Sequence, residues 1–231
     1  MSSLHARSTY TGPLGLVPLS AEAEVLPRRS DTPGTTLELL VLASDGEQCA
    51  GIDLVSGALV RAWSPEPLDL ELQPYDVVGA TIDDAVDLLP DPSQPEAVPL
   101  VGPLDRVGRI TGRRAERYLR PLLHPPGEPL LGSHGPAVPF WQRSADHPSI
   151  GIVEPEGPAV IRHRETGLTC LFGWRGMVVE LPCLDQRLAQ VLATAGRNRI
   201  ESGKGERLLV ALAPPVDGHC HKVVAGLLPR P

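Results

Sequence analysis

The chain has 231 residues, enough to bury a substantial core, and at 42% hydrophobic residues it is too apolar for a wholly disordered protein. Its 28 acidic and 21 basic residues give a net charge of −7, which argues against nucleic acid or an anionic membrane bound through the whole surface. The 23 Gly and 26 Pro point to many short elements joined by tight turns rather than to long helices. The expected fold is mainly β with two short helices, α+β at the margin, built as two small antiparallel barrel- or sandwich-like units.

Residues 1–34 are rich in Ser, Thr, Pro and Gly and read as a loosely ordered N-terminal arm without the apolar core of a secretory signal. A β-meander unit is predicted over 35–90. Its strands are TTLELLVLAS, EQCAGIDLV and ALVRAW, separated by Asp45-Gly46 and Ser56-Gly57, where glycine accepts the positive φ that such turns need. YDVVGATI supplies a fourth strand. Residues 91–149 read as a proline-rich connection carrying one short helix from about Arg113 to Leu119, with Thr111 as its N-cap.

The last unit, 150–231, is expected to be β-rich with one helix. AVIRHRE and LTCLFGW flank a turn at Thr166-Gly167, and GMVVELP follows a turn at Arg175-Gly176. DQRLAQVLATAG reads as a helix capped by Asp185 and stopped by Gly196, and RLLVALA and HKVVAGLL close the chain as strands. No run of about eighteen apolar residues suggests a membrane span. The four cysteines are dispersed and form no CxxC pair, so they read as buried reduced thiols and place the protein in the cytoplasm.

Charge is distributed unevenly. From Ala62 to Asp105 there are ten Asp or Glu and no Lys or Arg; from Arg106 to Arg120 there are six Arg. Arg106, Arg109, Arg113, Arg117 and Arg120 recur every three or four residues and would share one face of a continuous helix able to hold phosphate. The adjacent acids make an internal seam the favoured alternative, with several of these arginines meeting carboxylates of residues 66–105.

A metal reading centres on VDGHCH, where His219 and His221 would point to the same side of a strand beside Asp217. His163 and Cys170 would complete a zinc site if a turn at Thr166-Gly167 made them cross-strand partners. Ser133, His134, Asp146 and His147 supply residue types for hydrolysis without a nucleophile elbow. Without a catalytic motif, the leading expectation is a non-enzymatic interaction or regulatory module that binds a protein partner. The alternatives are a metal-dependent enzyme or zinc-binding protein using His219 and His221, and nucleic-acid or phosphate binding through Arg106–Arg120.

Overall fold

The computed structural model describes residues 36–64, 67–68, 71–83, 91–144 and 146–231. The expected N-terminal arm and the acids Asp84 and Asp87 lie outside the described residues. Strands dominate, and the two predicted helices are present.

The first unit is a closed five-stranded barrel. β1 (Thr36–Ser44), β2 (Gln48–Asp53) and β3 (Leu59–Trp63) form the expected meander, joined by turns with Gly46 at φ +92° and Gly57 at φ +75°. β4 (Asp76–Ile82) pairs antiparallel with β1, so the strand YDVVGATI falls where its pattern put it. β5 (Ala97–Arg109) runs antiparallel to β4 and parallel to β3, giving the order β1-β2-β3-β5-β4 and closing on β1. This connectivity is that of an OB-type Greek-key barrel. The residues that alternate inward include Leu37, Leu39 and Val41 of β1, Val60 and Ala62 of β3, and Val98 and Leu100 of β5.

β5 occupies a stretch read as a connection. Pro99, Gly102 and Pro103 look like strand breakers, yet the β4–β5 ladder accommodates them through register shifts at Val77/Val78 and Gly79/Thr81. Gly102 adopts φ +75° there, and bulged ladders tolerate such residues.

A central four-stranded sheet covers one side of the barrel. It consists of β6 (Ala137–Pro139), β13 (His219–Leu228), β12 (Arg207–Leu212) and β7 (Ile150–Val153), in that order. Leu209 and Ala211 of β12, Ile150 and Ile152 of β7, and Val223 of β13 pack against Leu40, Leu42, Ile52 and Leu59 on the outside of the barrel. Leu208, Val210 and Leu212 point the other way, toward a second sheet. Leu208 to Leu212 are therefore buried on both faces, which explains why LLVAL is a continuous apolar run rather than an alternating one.

The second sheet has the order β10 (Met177–Pro182), β9 (Gly167–Trp174), β8 (Val160–Arg164), β11 (Arg199–Glu201). Ile161, Cys170, Phe172 and Leu181 fill its inner face. Helix α2 (Gln186–Thr194) adds Leu188 and Leu192 to the same core. Asp185 caps it as expected, accepting from Arg187 N at 3.1 Å, and its other oxygen accepts from Leu227 N at 3.0 Å, tying the helix start to β13. The barrel and the sandwich thus share the central sheet as a wall. Each fully buried Leu or Ile across it contributes about 2 kcal/mol.

Candidate functional site

Helix α1 (Gly112–Leu119) follows β5 directly, and a single 3₁₀ turn at Arg120–Leu122 extends it. Thr111 holds the N-cap position in extended backbone, but its side chain makes no capping bond. Ala115 and Leu119 are buried among Leu122, Leu209 and Leu228. This anchors the helix by one stripe and turns Arg113, Arg114, Arg117 and Arg120 outward, all exposed.

The five arginines expected on one helix divide into two sets. Arg106 and Arg109 lie on β5, because the chain stays extended through Gly108 instead of starting the helix early. Both turn to Asp76 of β4: Arg106 Nη2 is 2.6 Å from Oδ2, and Arg109 Nη1 is 3.7 Å from Oδ1. Arg109 also donates to Pro74 O at 3.1 Å. Among the described residues, the seam between the acidic stretch and the arginines is one buried carboxylate held by two cations.

Arg113, Arg117 and Arg120 form the second set. They line an open groove of about 510 Å³ together with Glu116 and Pro121. Their spacing of four and three residues places them on one side of the helix. Glu116 is already engaged, since Arg207 of β12 donates to both its oxygens at 2.7 and 2.8 Å. That bidentate pair holds the Glu116 carboxyl below its ordinary value and raises Arg207. No ion pair engages Arg113, Arg114, Arg117 or Arg120 among the described residues.

The residues proposed for zinc are not brought together. The β8–β9 turn is Glu165-Thr166 rather than Thr166-Gly167, so Arg164 pairs with Gly167, His163 with Leu168 and Ile161 with Cys170. Moving the turn by one residue moves each cross-strand partner by two. His163 is consequently exposed near the hairpin end, its backbone N–H on Asn198 O, while Cys170 is fully buried among apolar side chains. Asp217 and Gly218 make the tight turn before β13, with φ +49° and +75°. His219 stacks edge-on against Trp141 at 5.5 Å between ring centroids, and its Nδ1 lies 3.0 Å from Asp217 O. His221 is exposed on the same strand. No group of three or more His, Cys, Asp or Glu side chains placed to hold a metal occurs among the described residues.

Two of the residue types read for hydrolysis have partners of their own. Ser133 Oγ bonds Ala137 O at 3.2 Å, whereas His147 Nδ1 pairs with Ser144 Oγ at 2.8 Å. Burial raises Cys49 and Cys170 to about 12, Cys183 to about 11, and Cys220 in the same direction. These thiols are core residues, unsuited to act as nucleophiles. Lys222 is buried too, with its ammonium on the carbonyls of Ser133 and Gly135, and burial lowers it to about 8.

A second polar site, unanticipated from the sequence, lies where the barrel meets the central sheet. Arg61 of β3 is 7% exposed and donates through Nη2 to Ser149 O at 2.7 Å and Leu212 O at 3.0 Å. Arg143 is also buried and donates to His147 O at 2.6 Å. The readable signal was one arginine inside the apolar strand LVRAW. Comparison with protein-family models, curated proteins and solved structures gives no match.

Proposed function

We propose that this protein is a non-enzymatic interaction module that binds an acidic segment of a protein partner through the arginine face of α1. The observation that carries the reading is the i, i+4, i+7 placement of Arg113, Arg117 and Arg120 on an exposed groove, without an ion pair among the described residues. Guanidinium groups at that spacing offer carboxylates a row of two-point contacts. The carboxylates nearby are engaged elsewhere: Asp76, which is buried, with Arg106 and Arg109, and the partly exposed Glu116 with Arg207.

An acidic polypeptide suits this surface better than nucleic acid. OB-type barrels bind oligonucleotides across strands 2 and 3, and here the outer residues Ile52 and Leu59 of those strands are packed under the central sheet. Tyr118 is the aromatic residue of α1, and it packs against the core as a half-buried side chain, leaving little platform for base stacking. Four buried free thiols accord with a cytoplasmic setting.

Each exposed arginine–carboxylate contact contributes about 0.5 kcal/mol, so the interaction is expected to be weak and salt-sensitive. Fluorescence anisotropy with a Glu-rich peptide and with a DNA oligomer, at about 50 mM and about 300 mM salt, tests the choice. The peptide should bind at low salt and lose affinity in the double variant Arg113→Glu/Arg117→Glu. Binding of DNA in preference to the peptide, or of neither, would reject the reading.

A further inference from the structure

Two arginines, Arg61 and Arg143, are buried at the junction between barrel and central sheet. No carboxylate lies within 4.0 Å of the Arg61 guanidinium among the described residues, and its Nε is fully buried without a hydrogen-bond partner. Arg143 nearby is in the same condition, its Nε also buried and unpartnered. Glu96 acts on both arginines but directs its oxygens to Ser149, one accepting from the backbone N–H and one from the hydroxyl, each at 2.6 Å. Desolvation accordingly pulls both arginines below their ordinary values. A guanidinium held in this state gains from a bound anion.

Arg61 also lines a cleft of about 120 Å³ between β1–β2–β3 and β12–β13. Its walls include the small side chains Ala43, Ala50, Ala213 and Ala225, and Ser44 and Gln48 add polar groups. That volume equals about four waters at about 30 Å³ each, room for a three- or four-carbon acid. We infer that this cleft is a binding site for a small monocarboxylate with a short apolar tail, its carboxylate against Arg61 and its tail among the alanines. Asp45 belongs to the same lining and repels dianions, which disfavours phosphate. The site shares no residue with the α1 groove and does not depend on that reading.

The same carboxylate chemistry could arrive as a free short-chain acid or as the C-terminus of a polypeptide. Propionate and acetyl-Ala-Ala with a free C-terminus serve as the two probes, added to the full chain carrying ¹⁵N-arginine. The Nε–H signal of Arg61, assigned by its loss in Arg61→Lys, should shift saturably with at least one probe and not with chloride at equal ionic strength. Ala213→Leu and Ala225→Leu fill the cleft from different strands and keep Arg61. Each should weaken binding by at least about tenfold. Tighter binding of propionate assigns the site to a free acid, and tighter binding of the dipeptide assigns it to a chain terminus. A lack of saturable shift with either probe up to about 0.1 M, or unchanged affinity in both filled variants, would overturn the inference.

Discussion

Arg106 Nη2 donates to Asp76 Oδ2 at 2.6 Å across the β4–β5 ladder. The abrupt change of charge in the sequence is thereby converted into a local clasp, because the hairpin folds the first arginines back over a carboxylate thirty residues upstream. Asp76 is 3% exposed and also accepts from Gln73 N at 2.9 Å, so it is held from its own turn as well as from β5.

Asp76→Ala should destabilise the protein by about 3 kcal/mol, since it removes a buried carboxylate and strands two cations. Arg106→Ala should cost about 1 kcal/mol, because Arg109 remains near Asp76 and both arginines are partly in solvent. Urea denaturation of the two variants measures the difference. Equal losses would show that Asp76 does not act as the shared anchor.

The Glu116–Arg207 pair fastens α1 to β12 and sets a pH dependence. The folded-state carboxyl is held below its ordinary value of 4.5, chiefly by the Arg207 hydrogen bonds. Its contribution is therefore complete above that value and declines as pH falls through the lower folded value. Glu116 is 40% exposed, so solvent screens the effect. Chemical denaturation of wild type and Glu116→Gln should differ at pH 7 and converge as pH falls through the depressed folded value. A gap that persists unchanged in acid would assign the loss to packing.

All four thiols should be silent in the native protein. A thiol raised to about 12 holds only about one part in ten thousand as thiolate at pH 8, and the cysteines are buried besides. A chromogenic thiol reagent should titrate none before unfolding and four in denaturant. Rapid modification of any one in native buffer would contradict the packing described for the cores.

Gly51→Ala tests the tightness of the barrel. A Cβ there would sit 2.5 Å from Leu40 O and 2.7 Å from Leu39 Cγ, and the first of these is backbone that cannot swing aside. A loss of about 2–3 kcal/mol is expected from overpacking, read as a lowered urea midpoint. Gly108→Ala, which meets nothing within 4 Å, serves as the control.

Much of this architecture could be read from turn chemistry. Asp45-Gly46, Ser56-Gly57 and Arg175-Gly176 delimit strands because their glycines take positive φ, and α2 announces itself through Asp185 and through Gly196 at φ +59°. β5 was hidden because Pro99, Gly102 and Pro103 signal a loop unless bulges in the partner ladder are known. β6, β7 and β11 have three or four residues each, too short to show a period. The arginine face was legible from Arg113 onward, where helical spacing applies, and misleading at Arg106 and Arg109, where the backbone is extended. The Arg61 cleft could not be foreseen, since it depends on which face of the barrel the central sheet covers.

Chemical-shift mapping of the ¹⁵N-labelled chain with a Glu-rich peptide at low salt locates the binding face. Perturbations should concentrate on the amides and arginine side chains of α1 and the turn after it, Arg113 through Arg120, and should vanish on raising the salt. Perturbations confined to any other surface, such as the exposed Trp141 beside His219 or the outer strand β10, would contradict the assignment of the binding face.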